Sequence, residues 1–300
     1  MIYTVTFSPA VDYVVDLNRF EIGEINRTFK EEAFPGGKGI NVSLVLSNLG
    51  KKSVATGFLG GFTGEFIKNE LERRHISSAF INVDGLTRIN VKIRAGKETA
   101  INGQGPHIKD EEIESLISLL EKLTKDDLLV ISGTVPKSLP SNIYEMILER
   151  IKDNGVTVIV DATKDILLNT LKYHPLLVKP NKEELEEMFN VTINSDEELI
   201  KNASRLLELG AQNVIVSLGG DGALLVGENL EPQLRAAPKG KVVNTVGAGD
   251  SLVAGFIFEY LDSKDIARAF RYGIATGSAS AFSEYLATRE EVEALLEKDN

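Results

Sequence analysis

Short apolar runs rich in β-branched residues alternate with amphipathic helical patterns along most of this chain. The runs fall at 54–58, 128–132, 156–160, 176–178 and 213–217, and the opening Met1-Ile2-Tyr3-Thr4-Val5-Thr6-Phe7 reads as a further strand. The helical patterns fall at 39–49, 64–74, 110–123, 141–153, 182–189, 195–209, 250–261, 264–282 and 289–298. Strands that alternate with helices argue for a parallel sheet covered on both faces, because each apolar face must be buried against another layer. In such α/β sheets, ligands sit beyond the carboxyl ends of the strands.

Two stretches break the rhythm. Residues 12–34 are strand-like with few helix signals. Residues 87–104 alternate: Ile89, Val91 and Ile93 share one face, and Arg88, Asn90, Lys92 and Arg94 share the other. The turn at Gly96-Lys97 suits a hairpin. These segments make either a small separate sheet standing off the main body or an antiparallel extension of the main sheet. The apolar face of a separate sheet needs a cover, which a second subunit can provide.

Composition narrows the function. The chain has 300 residues, 43% of them hydrophobic, enough for a sizeable core. It has no cysteine, which excludes disulfides, thiolate metal sites and a cysteine nucleophile. His75, His107 and His174 share no metal-ligand spacing. The longest apolar run falls short of a membrane span, and the N-terminus lacks the basic lead of a signal peptide, so a cytoplasmic location is expected. The net charge of −11 disfavours broad binding to nucleic acid or anionic membranes. An anionic substrate must therefore be held by a local group of cations and backbone amides.

The strongest motif is Asn244-Thr245-Val246-Gly247-Ala248-Gly249-Asp250-Ser251, a glycine loop that runs into an apolar helical pattern. The backbone N–H groups of Gly247, Ala248 and Gly249 can hold an anion at the positive end of the helix dipole. Asp250 can take a proton from a hydroxyl beside that anion. Helix-dipole preference alone explains an aspartate in the first turn, but not the Gly-Ala-Gly before it. An anion cradle next to a base suits phosphoryl transfer to an alcohol. With a reference pKa of about 3.9, Asp250 at a helix N-terminus is expected to be ionised at neutral pH.

Weaker signals accompany it. Pro35-Gly36-Gly37-Lys38-Gly39-Ile40-Asn41 precedes a helix and permits close backbone approach to a ligand, though such clusters are as often turns. It lacks the GxxxxGK[ST] spacing of a nucleotide P-loop. Asp12, just after the first strand, suits sugar hydroxyls or a turn equally well. Asn181 and Glu184 read as a helix capping box, with a carboxylate near Mg²⁺ as the functional alternative. Ser217-Leu218-Gly219-Gly220-Asp221-Gly222 is a glycine turn with room for a nucleotide.

Taken in order, the aspartate, the GGKGxN loop, the NxxE, the glycine turn and the GAGD helix start resemble the PfkB/ribokinase family of carbohydrate kinases along essentially the whole chain. Lys38, the run Thr87-Arg88-Ile89-Asn90-Val91-Lys92 and the run Glu98-Thr99-Ala100-Ile101-Asn102-Gly103-Gln104-Gly105-Pro106 resemble its sugar-phosphate branch. The resemblance implies a single ribokinase-like domain over 1–300, a three-layer α/β/α body with a β-sheet lid at about 12–34 and 87–104, and a homodimer made through the lids. It implies Asp250 as base and Gly247, Ala248 and Gly249 as the anion hole. Asp12, Gly36, Gly37 and Asn41 would hold the sugar, bordered by Ser132 and Gly133 and touched by Asn102. Lys38, Arg88 and Arg27 would grip its phosphate. Lys179, Asn181, Ser217, Leu218, Gly219, Gly220, Asp221, Gly222 and Gly249 would line the ATP site, with Glu184 near Mg²⁺ and residues 280–283 closing over the adenine. The implied reaction is phosphorylation of D-fructose 1-phosphate at O6. Tagatose 6-phosphate is the alternative acceptor, and a sugar-phosphate-binding regulator without turnover is the alternative of another class.

Overall fold

The computed structural model of the chain describes residues 1–298. The strands in chain order are β1 (Ile2–Thr6), β2 (Ala10–Asp16), β3 (Lys30–Gly36), β4 (Ser53–Leu59), β5 (Ser77–Ser78), β6 (Ile81–Asn82), β7 (Arg88–Ala95), β8 (Lys97–Asn102), β9 (Leu128–Ser132), β10 (Thr157–Asp161), β11 (Leu177–Val178), β12 (Asn213–Ser217), β13 (Ala223–Gly227) and β14 (Leu230–Arg235). The helices are α1 (Lys38–Asn48), α2 (Gly61–Arg73), α3 (Asp110–Leu120), α4 (Ile143–Ile151), α5 (Lys164–Thr170), α6 (Lys182–Phe189), α7 (Asp196–Glu208), α8 (Ala248–Ser263), α9 (Ile266–Phe282) and α10 (Arg289–Lys298).

The main sheet has the order β14-β13-β12-β11-β10-β9-β1-β4-β5, with β6 paired to β4. It is parallel from β12 to β5 and ends in the antiparallel strands β13 and β14. Successive strand residues point to opposite faces. Val5, Leu129, Ile131, Val158 and Val160 pack with α3, α4, α5, α6 and α7. Ile2, Leu128, Val130, Ile159 and Ile215 pack with α1, α8, α9 and α10. Each fully buried aliphatic side chain stabilises this sandwich by about 1.5–3 kcal/mol.

Local sequence and burial together explain helices of both layers. In α7, the Ser195 side chain caps the N–H of Glu198, acidic residues fill the first turn, and Leu199, Ala203 and Leu206 form the buried stripe. α8 lacks such a stripe because Leu252, Val253, Ala254, Phe256 and Ile257 are all buried. A helix apolar on all sides belongs inside the body, and α8 lies between α1 and α9. Its first turn therefore opens within the protein.

The second sheet is separate, ordered β3-β2-β7-β8, so the extension alternative does not hold. Residues 12–34 fall in β2 and β3 and in the mostly exposed stretch 18–29 that follows Leu17. Asp12 is a strand residue within β2 and not a turn aspartate. Val15, Leu17 and Ile93 are buried with Tyr13 and Val91 on one face of this sheet. The sequence patterns miss α5 and the β13–β14 hairpin. Glycines flank the short β13 run, and β14 contains Pro232 on an edge, where proline costs no ladder hydrogen bond. Among the described residues, no helix is long and apolar enough to cross a membrane.

Candidate active site

Parallel register sets Ser132 beside Asp161 at the carboxyl ends of β9 and β10, with Lys179 just beyond β11. The N-termini of α1 and α8 meet this edge. Asp250, in the first turn of α8, is 6% exposed, and its Oδ2 accepts a 2.8 Å hydrogen bond from Asn41 Nδ2 of α1. Burial, and then the charge of Asp161, push the Asp250 carboxyl up to about 6, against the opposing pull of Asn41, Lys38 and Lys179. The carboxylate is still the main form at neutral pH, but with a margin far smaller than the helix dipole alone implies, because this helix starts in the interior. A base poised near the working pH is well matched to proton transfer.

Asp161 is a residue the sequence reading missed. It is 2% exposed, and its Oδ1 lies 3.1 Å from Lys38 Nζ and 3.4 Å from Lys179 Nζ. Burial pushes its carboxyl up, but Lys179 and Lys38 outweigh burial and hold it below the usual range. Burial also works against the Lys38 charge, and Asp161 with Asp250 more than restores it. Lys38 is thus fixed among carboxylates instead of reaching free into solvent. Lys179, expected at the nucleotide, is a buried partner of Asp161, and its Nζ would lie 3.2 Å from a Cβ on Gly249. The available signal for Asp161 was a lone charge ending the apolar run Val158-Ile159-Val160, at the strand end where ligands bind.

Of the three amides proposed from sequence as an anion hole, one is already used. The Ala248 N–H donates to Thr245 O at 3.2 Å, so it is occupied. The N–H groups of Gly247 and Gly249 donate to no protein atom among the described residues. Gly247 sits at φ 81, a left-handed conformation that a side chain would strain, and this turns the loop into the helix.

On the second sheet, Asp12 Oδ1 accepts from Asn90 Nδ2 at 2.9 Å. A Cβ on Gly36 would collide with Asp12 Oδ2, so this close approach requires glycine. Gly37 is the N-cap position of α1. A cavity of about 230 Å³ lies among Asp12, Lys92, Asn41, Val246 and Leu286, so open space adjoins the Asn41 side chain that touches Asp250. The Arg88 guanidinium donates to Ser8 O at 3.0 Å and Gly103 O at 3.5 Å, while its buried Nε has no partner. The Ser132 hydroxyl is also buried without a partner. Gly133 O accepts from Tyr144 Oη at 2.7 Å, and a Cβ on Gly133 would lie 4.0 Å from Lys38 Cβ. Asn102 is exposed and pairs across the sheet with Asn90. Arg27 is exposed in the stretch between β2 and β3.

The remaining candidates lie along the ends of β11 and β12. Asn181 bridges to Ser217, whose N–H donates to Pro180 O at 3.0 Å. Gly219–Asp221 forms a single 3-10 turn with Gly219, Gly220 and Asp221 exposed, closed by Gly222; Leu218 packs on the core below. The Asn181–Glu184 capping box is formed: Asn181 Oδ1 accepts from Glu184 N at 2.7 Å, and Glu184 Oε2 accepts from Asn181 N at 2.9 Å. Of the 280–283 stretch, Ser280 faces the protein interior. It is buried and bonded to Ser251 at 2.6 Å and to Ala287 N at 2.8 Å, where it helps fix α8 against α9.

A buried carboxylate, free amides at a helix start and a flanking cleft are the parts that a phosphotransferase needs. Residues 5–292 match the pfkB family carbohydrate kinases, and the chain belongs to that family. It is 47% identical over 296 residues to the 1-phosphofructokinase of Bacillus subtilis (strain 168), covering 99% of this chain and 97% of that protein. It is 35% identical over 285 residues to the tagatose-6-phosphate kinase of Staphylococcus epidermidis, covering 91% of each. The crystal structure of ribokinase from Thermotoga maritima matches with a TM-score of 0.81 at 26% identity over 99% of each chain. The fold is ribokinase-like, and the chain is an enzyme of the sugar-phosphate kinase class.

Proposed function

We propose that this enzyme transfers the γ-phosphoryl group of ATP to O6 of D-fructose 1-phosphate, giving ADP and fructose 1,6-bisphosphate. The observation that carries the reading is the buried Asp250 carboxylate in the same helical turn as the unpaired Gly247 and Gly249 amides. The O6–H proton passes to Asp250 as the O6–P bond forms and the bond from the γ-phosphorus to the bridging oxygen breaks, with ADP leaving. The free amides stabilise charge on the equatorial phosphoryl oxygens. Asn41 orients the base. Asp12 and Asn41 hold sugar hydroxyls, and Arg88, with its free Nε, binds the resident phosphate through a planar fork suited to it. A non-catalytic regulator has no use for a base held in this way.

Lys179, Asn181 and the Ser217 to Gly222 turn border the ATP site at the strand ends. No cluster of three or more acidic or histidine ligands exists among the described residues. A lone carboxylate, Glu184, is enough for Mg²⁺, which keeps its waters and is held chiefly by substrate phosphates. Glu184 would hold it through water by the oxygen not used in the cap, and the ion would neutralise phosphate charge. Glu184→Gln separates the two roles, since glutamine also serves a capping box. The expected result is an unchanged Tm and a rise of about tenfold or more in the Mg²⁺ needed for half-maximal rate. An unchanged Mg²⁺ requirement would leave Glu184 as a cap only.

The second sheet acts as a lid over the sugar. Ile22, Ile25, Phe29 and Ile101 are 93%, 81%, 66% and 57% exposed, a surface that supports a homodimer made through the lids. A reaction consuming ATP and a sugar phosphate supports a cytoplasmic location.

A coupled ADP-release assay with fructose 1-phosphate and tagatose 6-phosphate tests the reading. Preference for tagatose 6-phosphate would favour the second acceptor, which the relationship to the Staphylococcus epidermidis enzyme supports. Arg88→Ala is expected to raise KM for the sugar phosphate about 10–100-fold, the loss of a charged hydrogen bond, while KM for ATP stays within about twofold. Equal rises in both would reject the phosphate role.

A further inference from the structure

Asn90 was not among the residues expected to touch substrate, yet its carboxamide is held in an unusual way. The parallel register of β2 and β7 sets Asn90 directly beside Asp12. A carboxylate only accepts, so Asn90 must turn its NH₂ toward Asp12, and the 2.9 Å hydrogen bond fixes the amide orientation. Asn90 Oδ1 is thereby directed away from Asp12. It is shielded from solvent and has no hydrogen-bond partner. Buried carbonyl oxygens are seldom left unpaired, and the exceptions call for a partner supplied from elsewhere. Lys92, the next residue on this face, lies 3.9 Å from Asp12 Oδ2 and does not fill the vacancy at Asn90.

The missing partner is a hydrogen-bond donor. A phosphate at neutral pH offers mainly acceptors, so Asn90 Oδ1 does not serve the phosphate, whereas the unpaired Arg88 Nε on the same strand face is a donor and does. A sugar hydroxyl supplies what Asn90 lacks. Asp12 Oδ2 is a second acceptor on the same paired unit. Two acceptors joined by one hydrogen bond suit hydroxyls on neighbouring ring carbons, C3 and C4 in a ketohexose furanose. Resting on the sugar-phosphate kinase reading above, we propose that Asn90 is a substrate-binding residue whose Oδ1 accepts one of these two hydroxyls while Asp12 accepts the other, so that the pair reads the stereochemistry of the acceptor.

A mutant–substrate cycle tests this. Wild-type enzyme, Asn90→Ala and Asn90→Ser are assayed with fructose 1-phosphate and with its 3-deoxy and 4-deoxy analogues, and Tm is recorded for each. Asn90→Ala is expected to lower kcat/KM for fructose 1-phosphate about tenfold or more, chiefly through KM for the sugar. KM for ATP should not move. Wild type should lose a similar factor on one deoxy analogue, and Asn90→Ala should lose nothing further on that analogue while losing the full factor on the other. Losses that multiply on both analogues would show that Asn90 only holds Asp12, and would overturn the inference. If Asn90→Ala folds poorly, Asn90→Ser carries the same comparison. Failure of wild type on fructose 1-phosphate with turnover of tagatose 6-phosphate would instead correct the acceptor, and the cycle would then use deoxy analogues of that sugar.

Discussion

Asp250→Asn is expected to lower kcat by about 10²–10⁴-fold, the contribution of a positioned general base, and at the same time to make the protein more stable at pH 8. Asparagine is nearly isosteric and its Oδ1 still accepts from Asn41 Nδ2, so the site keeps its shape. The stability gain follows from the raised carboxyl. Asp250 titrates at about 6 in the fold, above the unfolded value, because burial and Asp161 oppose its charge. A raised carboxyl contributes stability at low pH that is lost as pH rises through the folded value. Wild type therefore gives up about 3 kcal/mol between about pH 4 and pH 6, two pKa units of charge that the fold disfavours. The neutral amide gives up nothing. The Tm of Asp250→Asn should exceed that of wild type by roughly 5–10 °C at pH 8, and the margin should shrink below about pH 4. Wild-type kcat/KM should fall about tenfold per pH unit below about pH 6. A mutant with near-normal turnover would remove Asp250 as the base. A mutant with no Tm gain at pH 8 would show that its carboxylate is not strained by burial.

The elements that alternate strongly were legible because their periodicity is set by the layers themselves. β9, α6, β12 and α10 stand where the apolar runs place them, and the GAGD loop starts a helix as its glycines imply. Legibility failed where tertiary position outweighs local pattern. Asp12 looks like a turn residue because a proline and small residues precede it, yet pairing with β3 and β7 draws it into a strand. Lys38 reads as a rim cation because it sits among glycines, but strand order brings Asp161 under it from 123 positions away. Asn90 stood in plain view on the polar face of β7, and only its register against Asp12 gives it a role. The upward push on the Asp250 carboxyl was not legible for the same reason: the dipole can be read from sequence, whereas burial of the helix start comes from α1 and α9 packing around α8.

Asp161→Asn tests whether that hidden carboxylate is the electrostatic centre of the site. Removing one member of a buried ion cluster leaves the rest uncompensated and costs about 3–5 kcal/mol, because desolvation of the remaining charges is no longer offset. Here Lys179, 6% exposed, loses its ion-pair partner, and Lys38 retains only the more distant Asp250 and Glu184. A Tm roughly 10 °C below wild type at pH 7 is expected. The pH dependence has a definite sign. Asp161 is held below the ordinary carboxyl range, so its contribution is present above the unfolded value of about 3.9 and lost as pH falls through the lower folded value. The gap between mutant and wild type should therefore be widest near neutrality and narrow below about pH 4. The same change acts on the base. Asp161 repels the Asp250 charge while Lys38 and Lys179 attract it, so loss of Asp161 leaves only attraction from this cluster. Whatever rate remains in Asp161→Asn should show its acid limb shifted below pH 6. Asn41→Ala, which removes a hydrogen bond that lowers the same pKa, should shift the limb upward. Matching shifts in both mutants would mean that general disruption of the site, and not these opposed charges, sets the basicity of Asp250.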